Sequence, residues 1–377
     1  MKKMKIESHT QRQHGSLQHP LFGISTRSWI QLVKRNGGCD RQYLDRALFI
    51  MITSLLTAPV RMLFKFKYDK KINNTEVHNP PIFIIGHWRS GTTYLHELLS
   101  KDPQFCYVSL WNTLLPASGL ILEPMKRFLS RFLPAERPMD AIKVDMDGPY
   151  EDEAALAVLY PWSFFHCLHF PKNAEEQYLK SIHFQGLSSE EKDHWKTTYL
   201  HFIKLVMYAN NGKQLLSKNP PNTARIQTLL ELFPEAKFIH IYRSPYLVYL
   251  STKKMRQNVL DKLALQQASS EDIEDQVIHN YIRLMDSYFK QKQLIKKGNL
   301  VEIKYEDLIS DPLVKVKHIY STLKLSGFKD AEPEMRTYLD RQSEYKTNVY
   351  AIDEKIIHHV DRNWRFTIEH WNYTPPK

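Results

Sequence analysis

Cysteine is scarce: three residues in 377, Cys39, Cys106 and Cys167, with no CxxC pair among them. That argues against a disulfide framework and against a thiolate zinc site, and it makes a reducing, cytoplasmic compartment the expectation. Glycine is sparse as well, at 12 residues, and no internal repeat, low-complexity tract or linker-like stretch divides the chain, so repeat architectures drop out. The N-terminus, MKKMKIESHTQRQHG, is polar and has no apolar stretch behind it, so a secretory signal is not indicated. No apolar run reaches the roughly 20 residues that a membrane-crossing helix needs. The most apolar segment, ALFIMITSLLTAPV at 47–60, is closed by Pro59 and Arg61.

What is present can build a core. The hydrophobic fraction of 42% suits one large α/β domain. Lys+Arg outnumber Asp+Glu by 52 to 41, and a formal charge of +11 favours anionic partners. Residues 1–78 read as an N-terminal helical extension. Within it the run 47–60 is expected to pack on the domain, and its flanks, Arg41, Arg46, Arg61, Lys65 and Lys67, leave peripheral contact with an anionic membrane as the alternative. Four short apolar runs, at 82–86, 213–218, 237–243 and 299–305, read as buried strands, with 104–108 a weaker candidate. Helical patterns lie between them at 92–101, 190–210, 223–233 and from Glu271 to about Lys297. Strands that alternate with helices predict a three-layer α/β fold, a mostly parallel sheet with helices on both faces. Such sheets bind ligands beyond the carboxyl ends of their strands, here the loops at 86–93, 218–222 and 243–251.

The first of these loops lacks something specific. In IIGHWRSGTTYLHELL, residues 84–99, a strand passes through a glycine loop into a helix. Gly86 and Gly91 let the backbone curl around an anion, the amides and dipole of the helix start face it, and the Ser90, Thr92 and Thr93 hydroxyls add donors. Against the phosphate loop GxxxxGK, Thr92 stands where the lysine belongs, and the nearest cation is Arg89 inside the loop. No apolar strand ends in an Asp that would hold magnesium, so a kinase or nucleoside triphosphatase is disfavoured.

GHWRSGTT resembles the 5′-phosphosulfate loop of sulfotransferases that use 3′-phosphoadenosine 5′-phosphosulfate (PAPS). Three further segments resemble that family in the same order, over residues 81 to about 325. SKNPPNT at 217–223 is similar to its Lys-Ser-Pro or Lys-Asp-Pro turn. KFIHIYRSPYLVYLS ends a strand in Arg243 and places Ser251 eight residues later, like the pair that holds the 3′-phosphate. VEIKYEDLISDP at 301–312 is similar to the Tyr-Glu-Asp-Leu segment of many members. The resemblance implies PAPS as sulfuryl donor without a metal, bound by Arg89, Ser90, Gly91, Thr92, Thr93, Arg243 and Ser251. It also implies a sulfotransferase domain over 79–377. Tyr94 stands where the family stacks an aromatic on adenine, with Trp88 the alternative, and Lys346 is a late basic residue placed to reach the phosphates. The Arg-Lys-Gly segment of the cytosolic branch is missing.

Sulfuryl transfer needs cations on the moving group and a base on the acceptor hydroxyl. The resemblance makes Arg89 and Lys218 the cations. No Lys-Thr-His turn supplies the histidine of the cytosolic branch, so the base is sought in residues 137–166. There Glu151, Asp152 and Glu153 crowd the start of a helix after Gly148 and Pro149. Mutual repulsion would raise a carboxylate's pKa, and Glu153 is the first candidate. His166, in an apolar run, is the second. An insertion at about 109–175 holds Trp111, Phe128, Phe132, Trp162, Phe164 and Phe165, a lining for a hydrophobic alcohol such as a steroid or lipid, unless these rings are ordinary core. A sugar or a peptide tyrosine is the other acceptor class. Nucleic acid is not an expected partner, and the oligomeric state is left open.

Overall fold

The computed structural model describes residues 19–132, 144–342 and 350–376. Five strands form one parallel sheet in the order β2-β3-β1-β4-β5: β1 Ile82–Ile85, β2 Phe105–Cys106, β3 Gln214–Lys218, β4 Lys237–Tyr242 and β5 Leu300–Lys304. β1 lies at its centre, with Ile82 in register with Leu216 on one side and with Lys237 on the other. Its four residues are all buried, as a strand covered on both faces requires. The side chains alternate. Ile82 and Ile84 join Leu95, Ile239 and Leu308 on one face, whereas Phe83 and Ile85 join Phe202, Leu215 and Phe238 on the other. Two apolar layers therefore sandwich the sheet, each fully buried large side chain contributing about 2 kcal/mol, and the three-layer expectation matches the structure.

Helices begin and end where local chemistry says they should. Ser188 and Glu191 form a reciprocal capping box before Ser189–Ala209, and the helix is followed by Asn211 and Gly212 at positive φ. Pro245 opens the helix Pro245–Leu263, where its missing N–H costs nothing. The run from Glu271 ends sooner than expected, at Gln291, and gives way to a 3-10 turn at Lys292–Leu294.

The N-terminal region contributes α1 (Thr26–Arg35), α2 (Leu44–Leu56) and α3 (Ala58–Asn73), and the next helix is α4 (Thr92–Leu99). Leu21, Ile24, Trp29, Leu32 and Ile50 pack in one cluster with Trp88, Phe164 and Tyr246. The extension thus shares its core with the sheet domain. Residues 109–132 and 144–182 form a chain of short helices, among them Leu110–Leu114, Asp152–Leu159 and Phe164–His169. Trp111, Trp162, Phe164 and Phe165 are buried in three separate core clusters, because helices this short gain most of their stability from tertiary packing; Phe164 also lines a cavity with His87, Trp88 and Tyr178. Phe128 is exposed, and the side chain of Phe132 lies outside the described set.

Candidate active site

Three strand ends on one edge of the sheet converge. The loop after β1 turns on two unusual backbone positions: Arg89 at φ 69° and Gly91 at φ 97° are both left-handed, an arrangement that turns successive N–H groups toward one side. At Gly91 a Cβ would stand 2.2 Å from the Tyr305 ring, so the loop can lie on Tyr305 only with glycine there. Gly86 is equally confined, since a Cβ would stand 2.3 Å from the Ile241 carbonyl oxygen. Its N–H donates to Thr223 Oγ1 at 2.8 Å, tying the loop to the turn after β3. Ser90 and Thr92 are buried at the start of α4, with Thr93 and Tyr94 half-buried beside them. Burial pushes the Tyr94 hydroxyl up to about 12.

The two segments read as halves of one anion site touch. Arg89 Nε donates to Ser251 Oγ at 2.8 Å across 162 residues of sequence. Arg243, one residue beyond β4, donates from Nη1 to the Arg89 carbonyl oxygen at 3.2 Å, and its guanidinium lies 4.4 Å from the centre of the Tyr305 ring. Arg243 Nε is buried and has no partner among the described residues, which leaves one charged donor for an incoming acceptor oxygen. Tyr350 donates to Ser251 Oγ at 3.2 Å. Lys346 lies outside the described residues. Trp88, the alternative adenine stacker, is instead stacked on Phe164 with ring centres 4.2 Å apart.

Lys218 ends β3 on the other side of the loop. Its ammonium is buried, 2.7 Å from Glu151 Oε1 and 3.4 Å from Thr93 Oγ1. Glu151 reaches it because residue 151 is still extended, at φ −90° and ψ 134°, and bridges to Lys218 in parallel register before the helix Asp152–Leu159 begins. Glu153 is two residues further on, rotated by about 200° around the helix axis. It points away from the site, and this corrects its candidacy as base. Its carboxylate is fully buried and receives Arg225 Nη1 at 2.8 Å and Nη2 at 3.3 Å, Ser163 Oγ at 3.0 Å, the Phe164 N–H at 2.8 Å and Asn219 Nδ2 at 3.2 Å. Burial alone would raise its pKa, but the Arg225 charge and these donors hold it below the usual value. Every lone pair has an employer, so none remains for a substrate proton.

His166 is corrected for the same reason. Nδ1 accepts the Ser163 N–H at 3.3 Å and Nε2 lies 3.0 Å from the Ala157 carbonyl oxygen, so both nitrogens serve the backbone. Burial pulls its pKa down to about 4. Asp152 completes the supporting layer: its Oδ2 accepts from Tyr199 at 2.6 Å and Ser217 at 2.5 Å, and Asn222 Nδ2 donates to the Tyr199 oxygen at 3.1 Å. Glu306 accepts from the Ser244 N–H at 3.0 Å and from Tyr373 at 2.8 Å, fixing the turn after β4. The Glu151–Lys218 contact had one signal in the sequence, the place of Glu151 just ahead of the helix.

Comparison with known proteins agrees with this geometry. The model of the sulfotransferase family matches residues 80–330, starting just ahead of β1. The omega-hydroxy-beta-dihydromenaquinone-9 sulfotransferase Stf3 of Mycobacterium bovis and of Mycobacterium tuberculosis is 31% identical over 358 residues, covering 94% of this chain and 91% of the relative. The fold is similar to that of sulfotransferase STF1 from M. tuberculosis H37Rv, with TM-score 0.65, 15% identity, and 92% and 93% of the two chains covered. Sulfotransferase STF9 from Mycobacterium avium gives TM-score 0.66, 16% identity, and 92% and 96% coverage. A glycine loop with Thr92 at the lysine position and Arg89 inside it, Arg243 and Ser251 closing on it, and a family match across the whole sheet domain carry one conclusion: the chain belongs to the sulfotransferase family and is a transferase enzyme.

Proposed function

We propose that this sulfotransferase takes its sulfuryl group from PAPS and passes it to the hydroxyl of a hydrophobic alcohol of lipid class, with Glu151 as the base. The observation that carries the donor reading is the Arg89–Ser251–Arg243 contact, which brings the loop after β1 and the segment after β4 together with a buried guanidinium donor to spare. PAPS brings two anionic ends and an activated sulfuryl group. The chain supplies the rest. Backbone N–H groups of the loop and the Ser90, Thr92 and Thr93 hydroxyls hold the 5′ end, and Arg243 with Ser251 holds the 3′-phosphate. Arg89 and Lys218 flank the loop, where charge builds on the sulfonate and leaving phosphate oxygens. Glu151, paired with Lys218, takes the hydroxyl proton as the acceptor oxygen approaches. Stf3 is named for an omega-hydroxylated dihydromenaquinone, and that supports a lipid alcohol as acceptor here.

Calorimetric titration tests the donor. The expected result is binding of 3′-phosphoadenosine 5′-phosphate without metal and in preference to ATP, weakened about 10–100-fold by Arg243→Ala. An unchanged affinity in that variant would mean that Arg243 does not hold the 3′-phosphate. The acceptor is tested by incubating the enzyme and labelled PAPS with a lipid extract, a glycan panel and tyrosine peptides. Label confined to sugars would sink the lipid reading.

A further inference from the structure

α2 and α3 carry a concentration of exposed apolar side chains that the rest of the described surface does not match. On α2, Leu44, Leu48, Ile52 and Leu56 recur every fourth residue along one face, and Leu56 is 69% exposed. α3 continues the ridge with Met62 at 75% and Phe66 at 91% exposed. The opposite faces are satisfied: Ile50 and Ser54 on α2, and Phe64 and Ile72 on α3, are buried against the domain. Neither helix alone is long and apolar enough to cross a membrane; the two together have the length and composition of a span but bend by 45° at the junction. There Arg61 Nη2 donates to the Ser54 carbonyl oxygen at 2.7 Å. The ridge therefore lies along the surface of the protein.

Charge says what covers it. Between residues 41 and 71 there are seven Lys or Arg and two Asp. Lys65, Lys67, Lys70 and Lys71 are exposed on α3 alongside the ridge, while Asp69 is turned to His201, 3.5 Å away. A second copy of the chain would bring its own lysines against these, a like-charge contact that disfavours self-association. An anionic bilayer offers acyl chains to the apolar side chains and phosphates to the ammonium groups, the pairing that interfacial helices use. We propose that α2 and α3 dock this enzyme on an anionic membrane surface, with Leu56, Met62 and Phe66 inserted at the headgroup boundary. α3 also leads toward the chemistry: Phe64 packs in one cluster with Leu120 and Ile121, and the same segment begins at Ser109, which bridges Pro149 two residues before Glu151. One short segment thus links the docked face to the base, a route for a lipid alcohol that rests on the proposed acceptor class.

The test uses the full chain and sedimentation with sucrose-loaded vesicles of phosphatidylcholine, with and without phosphatidylglycerol. Binding is expected only to the phosphatidylglycerol vesicles and should fall as salt is added. The pair Leu56→Ser and Phe66→Ser, and separately Lys65→Glu with Lys67→Glu, should each weaken it about tenfold or more. Circular dichroism and affinity for 3′-phosphoadenosine 5′-phosphate should stay unchanged in both. Protein that stays in the supernatant, or variants that bind as well as the parent, would overturn the proposal. So would a dimer in sedimentation velocity that the apolar substitutions dissociate without any vesicle binding. Because the readout needs no turnover, the docking face and the acceptor class fail independently.

Discussion

Two carboxylates, two positions apart, meet opposite fates. Glu151 precedes its helix and reaches Lys218; Glu153 lies inside the helix and is committed to Arg225. Glu151→Gln keeps the size and a hydrogen bond to Lys218 but removes the proton acceptor, so kcat should fall by about 10²–10⁴-fold. Affinity for 3′-phosphoadenosine 5′-phosphate, measured by calorimetry, should hardly move. A variant with parental kcat would return the search for the base to other residues. That Arg89, Arg243 and Ser251 lie together was legible, because they sit at fixed offsets from a strand end and a glycine loop. The choice between Glu151 and Glu153 was not, since it depends on which way one turn of helix faces and on an arginine 72 residues downstream.

At the scale of elements, the helix Asp152–Leu159 is anchored to the turn after β3 by the Glu153–Arg225 pair, both side chains 0% exposed. Arg225 gains from the pair only while Glu153 is there to repay its desolvation. Glu153→Ala should therefore destabilise the fold by about 3–5 kcal/mol in urea unfolding, by leaving an unpaired buried guanidinium. A loss within about 1 kcal/mol would mean that water or a rearranged neighbour satisfies Arg225. All five strands could be read from short apolar runs, even β2 with its two residues. Between 109 and 182 only the helix that starts at 151–153 could be read, from its acidic first turn; the other pieces, of four to nine residues, are too short to show a clear period and are helical because of what they pack against.

Over the whole molecule, stability should carry the imprint of one buried acid. Burial pushes the Asp152 carboxyl up from 3.8 to about 6, against the pull of its Ser217 and Tyr199 donors. The folded state thus prefers the neutral form, and its contribution is fully present below the unfolded pKa. As pH climbs from about 4 through about 6 the folded state loses up to about 3 kcal/mol relative to the unfolded chain. Asp152→Asn can still accept from Ser217 and Tyr199 but has no charge to bury. Its stability relative to the parent should therefore rise by up to about 3 kcal/mol between pH 4 and pH 7, read from urea unfolding at several pH values. A pH-independent difference would mean that Asp152 ionises normally in the fold.

The sequence by itself determined the sheet, the tight glycine loop after β1 and the arginine that follows β4, because each depends on residues close together in the chain: apolar runs that must be buried, glycines that permit a left-handed turn, an arginine at a strand end. Only the tertiary structure decided what long-range neighbours decide. It turned Glu153 into half of a buried ion pair and set Glu151 beside Lys218. It buried Trp111, Trp162, Phe164 and Phe165 in the core, and it left one face of α2 and α3 bare. Burial is a property of the assembled chain, so the same leucine spacing reads alike in sequence whether the helix faces the core or the solvent.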